Sequence, residues 1–157
     1  MLKISKNSST ILSLALAVFF FICCVVGLFI LPGLTETLIQ MHDGLEGRTA
    51  IPQLGRTLSL FCAYVIVLDM MLADFLLFFL LLRVRKGEVF TEESVSLLRG
   101  VSWCCLGLCV PFGVLGIYFR LALIVCFMAI FLGICLRVCK NAIEIATEIK
   151  QENDLTI

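Results

Sequence analysis

The sequence predicts an all-α protein, a four-helix polytopic transmembrane bundle with a cytoplasmic extension of the last helix. Three observations carry this. Hydrophobic residues make up 61% of the 157 residues and charged residues only 15%, and the mean hydropathy is +1.11. Soluble chains hold about 45–50% apolar and about 25% charged residues, and so short a chain has too little interior to hide the excess. Four apolar stretches each approach the ~20 residues that a bilayer core requires. No segment alternates apolar and polar residues with period two, so helices are favoured over a barrel. The whole chain, 1–157, reads as one membrane domain.

The first span covers about 11–31 and contains no charge. Its basic start, Lys3 and Lys6, resembles a signal peptide. The run is longer than the usual apolar core of about 7–15 residues and no small-x-small cleavage site follows, so it is expected to stay as an anchor. Leu31-Pro32-Gly33 is expected to end this helix. The second span covers about 58–82 and contains Asp69 and Asp74. The third covers about 101–119 and the fourth about 121–139, with only Arg120 between them. One uninterrupted helix of that length would overshoot the bilayer about twofold, which predicts a tight hairpin there. Gly107, Pro111, Gly113 and Gly116 allow close helix contact and a kink in the third span.

Orientation follows from the basic residues. Lys3, Lys6, Arg83, Arg85, Lys86, Arg99, Arg137, Lys140 and Lys150 fall on one side; Arg48, Arg56 and Arg120 fall on the other. This excess predicts both termini in the cytoplasm, a cytoplasmic loop at 83–99 and a cytoplasmic tail at 140–157. The 32–57 loop then faces outward. Twelve basic and twelve acidic residues give a net charge of zero, so no overall field argues for direct nucleic-acid binding.

Two cytoplasmic segments have local grammar. Arg83, Arg85 and Lys86 form a basic last turn and Gly87 a helix stop. Thr91 suits an N-cap, with Glu92 and Glu93 at the positive end of the next helix and Phe90 and Val95 placed as a hydrophobic staple. In the tail, Val138, Ala142, Ile145 and Ile149 mark one face of a helix. Arg137, Lys140, Glu144, Glu148 and Gln151 mark the opposite face. This helix is expected to continue the fourth span to about Lys150.

Charges within spans are costly and are functional candidates by default. Asp69 and Asp74 lie five positions apart and so point about 140° from each other on a helix. They are not placed to share one ion. Arg137 lies at similar depth to Asp74 and is the expected partner. The nine cysteines all fall in spans, and packing as small apolar groups is their expected role. A soft-metal site from Cys104, Cys105, Cys135 and Cys139 is the alternative. His42, the only histidine, falls in the outer loop. No catalytic residue, cofactor or metal site is predicted.

The segment 84–100, VRKGEVFTEESVSLLRG, and the end 142–157, AIEIATEIKQENDLTI, resemble a bacterial family catalogued as domain of unknown function 2975. Gly87, Phe90, Thr91, Leu98, Arg99 and the closing Glu152-Asn153-Asp154-Leu155-Thr156-Ile157 carry the resemblance. It implies a four-span inner-membrane protein without known enzyme activity. It also implies a gene neighbour, a small cytoplasmic helix-turn-helix regulator. The expected function is therefore an interaction role, docking that regulator through Arg83, Arg85, Lys86, Phe90, Arg99, Glu152, Asp154, Leu155 and Ile157. The alternative is a small transporter or proton-coupled permease that uses Asp69, Asp74 and Arg137. The lipid bilayer is the one partner expected on either reading.

Overall fold

The computed structural model describes residues 6–45 and 51–155. Five helices follow in order: α1 (Lys6–Leu45), α2 (Gln53–Lys86), α3 (Glu92–Gly107), α4 (Cys109–Leu115) and α5 (Arg120–Leu155). Four helical segments are long and apolar enough to cross a membrane, and α3 with α4 makes the third of them. The protein is a multi-pass membrane protein with a helical transmembrane bundle. Phe19, Phe29, Phe61, Phe127 and Ile124 stand outward, where lipid covers them.

Helices pack in sequence order. Among the described residues α1 packs against α2, α2 against α3 and α4, and α5 against α3 and α4. The expected break between the third and fourth spans is present. The chain turns through 116–119, with Tyr118 and Phe119 amides bonded to Leu115 O, and α5 starts at Arg120. The kink in the third span falls at Leu108, between α3 and α4. Pro111 has no N–H to bond Gly107, which interrupts the ladder there.

The expected stop at Pro32 does not occur. α1 runs through Pro32 to Leu45, 40 residues in all, or about 60 Å. The proline forfeits the backbone bond to Leu28 O, and two threonine hydroxyls further along bond back to carbonyls one turn earlier. Thr35 Oγ1 donates to Leu31 O at 2.6 Å and Thr37 Oγ1 donates to Gly33 O at 2.8 Å. α2 in turn starts at Gln53, earlier than the apolar run. The two helices thus extend together, and the expected 32–57 loop shrinks to a short link. Asp43 closes it by accepting from Ile51 N at 3.3 Å and from Arg56 Nη2 at 3.2 Å. Gly55 lies against the Tyr118 ring and His42 meets Phe119 edge-on, so the 116–119 turn joins this end.

α5 continues beyond its span to Leu155 without a break. The predicted tail helix exists and is longer than expected. Its orientation is the reverse of the usual one. Lys140 and Thr147 are buried on the side toward α3, whereas Val138, Ile145 and Ile149 are 64, 58 and 55% exposed.

Candidate functional site

The turn between α2 and α3 is built by its own sequence. Arg83, Arg85 and Lys86 end α2, and Gly87 follows with φ 82°. That left-handed geometry lets Gly87 N donate to Val84 O and Glu88 N to Arg83 O, both at 3.1 Å, which satisfies carbonyls the helix leaves open. Thr91 caps α3, its Oγ1 accepting from Ser94 N at 3.3 Å. Ser94, almost fully buried, donates from Oγ to Glu88 O at 2.8 Å and ties the cap back to the turn. Arg83 pairs with Glu93 and Glu88. Arg85, Lys86 and Phe90 are exposed.

Beside this turn, the first two turns of α3 and the extension of α5 form a two-helix platform. Its centre is Glu144. One carboxylate oxygen accepts from Arg99 Nη2 at 3.2 Å and the other accepts from Lys140 Nζ. The Lys140 hydrogen bond, together with the nearby Arg99 charge, holds the Glu144 carboxyl below the ordinary glutamate value. A shallow groove of about 320 Å³ lies between the two helices, lined by Glu92, Val95, Arg99, Glu144 and Thr147. Where the platform meets the span, the Arg137 guanidinium carbon sits 4.5 Å from the centre of the Trp103 ring.

The structure thus gathers Arg83, Arg85, Lys86 and Phe90 in one turn and turns Arg99 toward α5. Glu152 lies farther along the same extension. Ile157 lies outside the described residues, and of Asp154 and Leu155 only the backbone is described, as helix. The described part of the tail thus prolongs α5 as far as Leu155.

The predicted partnership of Asp74 with Arg137 is not formed. α2 and α5 do not pack on each other among the described residues. Asp74 faces α1 beside Ala17 and Cys24, while Arg137 lies on Trp103 of α3. Equal depth was not sufficient, because the helices that carry the two charges are not neighbours. The divergence of the two aspartates holds. Asp69 faces α3, where its carboxyl lies beside the thiols of Cys104 and Cys105, and a Cβ at Gly107 would come within 3.9 Å of it.

The cysteines are dispersed. Cys24, Cys62 and Cys104 are buried, Cys135 is half-buried and Cys139 exposed. Cys126 donates its thiol to Cys109 O at 3.3 Å, a bond between α5 and α4. Among the described residues no three metal-ligating groups converge.

One feature escaped the sequence reading: the outward stripe Val138, Ala142, Ile145 and Ile149. The periodicity showed an apolar face but not its direction. The signal that points to the answer is Lys140, Glu144 and Arg99, which pair with one another and so draw the polar side of α5 onto α3.

The family described as Protein of unknown function (DUF2975) matches residues 49–157. The match takes in α2 to α5, the whole platform and both aspartates, and the chain belongs to this family. No curated protein and no solved structure matches the chain.

Proposed function

We propose that this is a non-enzymatic interaction protein of the bacterial inner membrane. Both termini lie in the cytoplasm, and the platform docks a small cytoplasmic helix-turn-helix regulator. The observation that carries the reading is the stripe Val138, Ala142, Ile145 and Ile149, exposed along the end of α5. Three of these residues lie beyond the stretch 121–139 that the sequence assigns to the bilayer, and on that reading they face water, where an apolar helix face is an interaction surface by default. Arg85, Lys86 and Phe90 stand exposed in the neighbouring turn, adding charge and an aromatic anchor. The regulator as the partner rests on the family resemblance, an associational ground. The runner-up, a permease acting through Asp69, Asp74 and Arg137, has no single site to act from, because these charges occupy three separate interfaces.

The test is capture from the native host. The detergent-solubilised chain should retain a small DNA-binding protein. Ile145→Ser with Ile149→Ser, or removal of residues 152–157, should release it while membrane insertion persists. Reporter fusions should read external at Gly47 and cytoplasmic at Gly87. Retention of the regulator by the double variant removes the docking role of the stripe, and a cytoplasmic reading at Gly47 removes the topology.

A further inference from the structure

Between α1 and α3, with α2 as its floor, runs a groove of about 640 Å³. Leu16, Phe19 and Phe20 of α1, Leu77 and Leu81 of α2 and Val101 of α3 form its walls. Asp74 lies in it and is 7% exposed. It makes no hydrogen bond or ion pair among the described residues. The side chains that face it are Ser13, Ala17 and Cys24 from α1, Met70 and Ala73 from α2, Val101 from α3 and Leu108 from the junction of α3 and α4. None is basic. On its other flank lie the rings of Phe21, Phe78 and Phe79.

A carboxyl taken out of water needs either a proton or a counter-charge, and among the described residues no cation faces it. An inorganic cation does not fit the need. Hard cations require several oxygen ligands, and here one carboxyl and the Ser13 hydroxyl are the polar groups of an otherwise apolar lining. A cation with a bulky apolar body meets every part of the site. The walls take the body, the carboxylate takes the charge, and the phenylalanine faces attract an organic cation through their ring quadrupoles. The volume falls within the range of about 300–1,000 Å³ common to small-molecule sites.

We propose that the α1–α3 groove binds lipophilic cations, ammonium or phosphonium centres carrying apolar substituents, with Asp74 as their counter-charge. Asp69 takes no part, since it faces α3 among Cys104 and Cys105.

The full-length chain in detergent micelles is titrated with radiolabelled tetraphenylphosphonium. Wild type binds it saturably. Asp74→Asn keeps the shape, removes the charge and weakens binding by about tenfold or more, the loss expected when one member of a desolvated charge pair is removed. Asp74→Glu retains binding, and Asp69→Asn equals wild type. Ala73→Phe, which fills the groove and spares the carboxyl, also abolishes binding. Neutral triphenylphosphine oxide does not compete. The proposal is overturned by absence of saturable binding, by Asp74→Asn binding as tightly as wild type, or by equal competition from the neutral compound. The last result would make the groove a seat for acyl chains whatever their charge. Asp74 is remote from α5, so Asp74→Asn still captures the cytoplasmic regulator, and the two readings fail separately.

Discussion

The α1–α2 interface and the α3–α5 interface treat polar groups in opposite ways. In the first, Asp74 is buried with no hydrogen-bond or ion-pair partner among the described residues, and Asp43 pairs with Arg56 where α1 meets α2 at their far end. In the second, Arg99, Glu144 and Lys140 pair with one another and Arg137 covers Trp103. The packing differs in the same sense. A Cβ on Gly133 of α5 would lie 2.8 Å from Leu106 Cγ and 3.4 Å from Leu106 N of α3, whereas a Cβ on Gly27 or Gly33 of α1 would meet nothing within 4 Å. Lipid gives helices little hydrophobic reason to associate, so close backbone approach and polar contacts decide which pairs are rigid. The comparison teaches that α3 and α5 are joined by paired charges and by close backbone approach at Gly133. α1 packs against no helix but α2 among the described residues, and it borders the groove that holds Asp74.

The largest effect should come from wedging the tight pair apart. Gly133→Leu forces its side chain onto the α3 backbone and should cost about 1–3 kcal/mol, the usual range for overpacking. Gly27→Leu meets open space and also gains helix propensity, so it should leave stability unchanged or slightly raised. Thermal unfolding of both variants in the same micelles measures the contrast. Equal destabilisation would mean that α1 is packed as tightly as α5.

A smaller effect is expected from Arg137→Gln. It removes the contact with Trp103, worth about 0.5–1 kcal/mol when exposed to water. Combined with Asp74→Asn, the two losses should add to within about 0.5 kcal/mol, as they do for sites without shared partners. A double variant that loses clearly less than the sum would restore a direct Asp74–Arg137 pair and break the separation of the two interfaces.

The features legible in the sequence were those decided locally. Four spans follow from apolar length. The α2–α3 turn follows from Gly87, Thr91 and the residues around them, and the hairpin before Arg120 follows from bilayer thickness. The divergence of Asp69 and Asp74 follows from helix geometry alone. The course of α1 beyond Pro32 was not legible, because it depends on α2 extending beside it. The direction of the α5 stripe was not legible for a deeper reason. In a water-soluble protein an apolar face turns inward, but in a chain that leaves a membrane the faces compete for lipid, protein and partner. There the pairing of Lys140, Glu144 and Arg99 won. Which helices are neighbours is likewise a global property, and without it depth misassigned the partner of Asp74.

The smallest effect tests whether the polar pairing at Glu144 turns α5 as argued. Lys140 and Arg99 hold the Glu144 carboxyl below its ordinary value in the folded chain. A group whose folded value is depressed favours the fold above its unfolded value. That contribution disappears as the pH falls through the depressed value. Wild type should therefore melt higher than Glu144→Gln at neutral pH, and the two curves should converge on acidification below the ordinary carboxylate range. Arg99 is half exposed, so salt should shrink the difference at neutral pH by screening its share. Lys140 is mostly enclosed, so part of the difference should survive high salt. If the gap between wild type and Glu144→Gln is the same at every pH, the carboxylate charge is not what holds α5 on α3. The outward direction of the Ile145 and Ile149 stripe would then need another cause, such as the close fit of Gly133 against Leu106. In that case Gly133→Leu, and not Glu144→Gln, should be the variant that rotates the stripe out of reach of its partner.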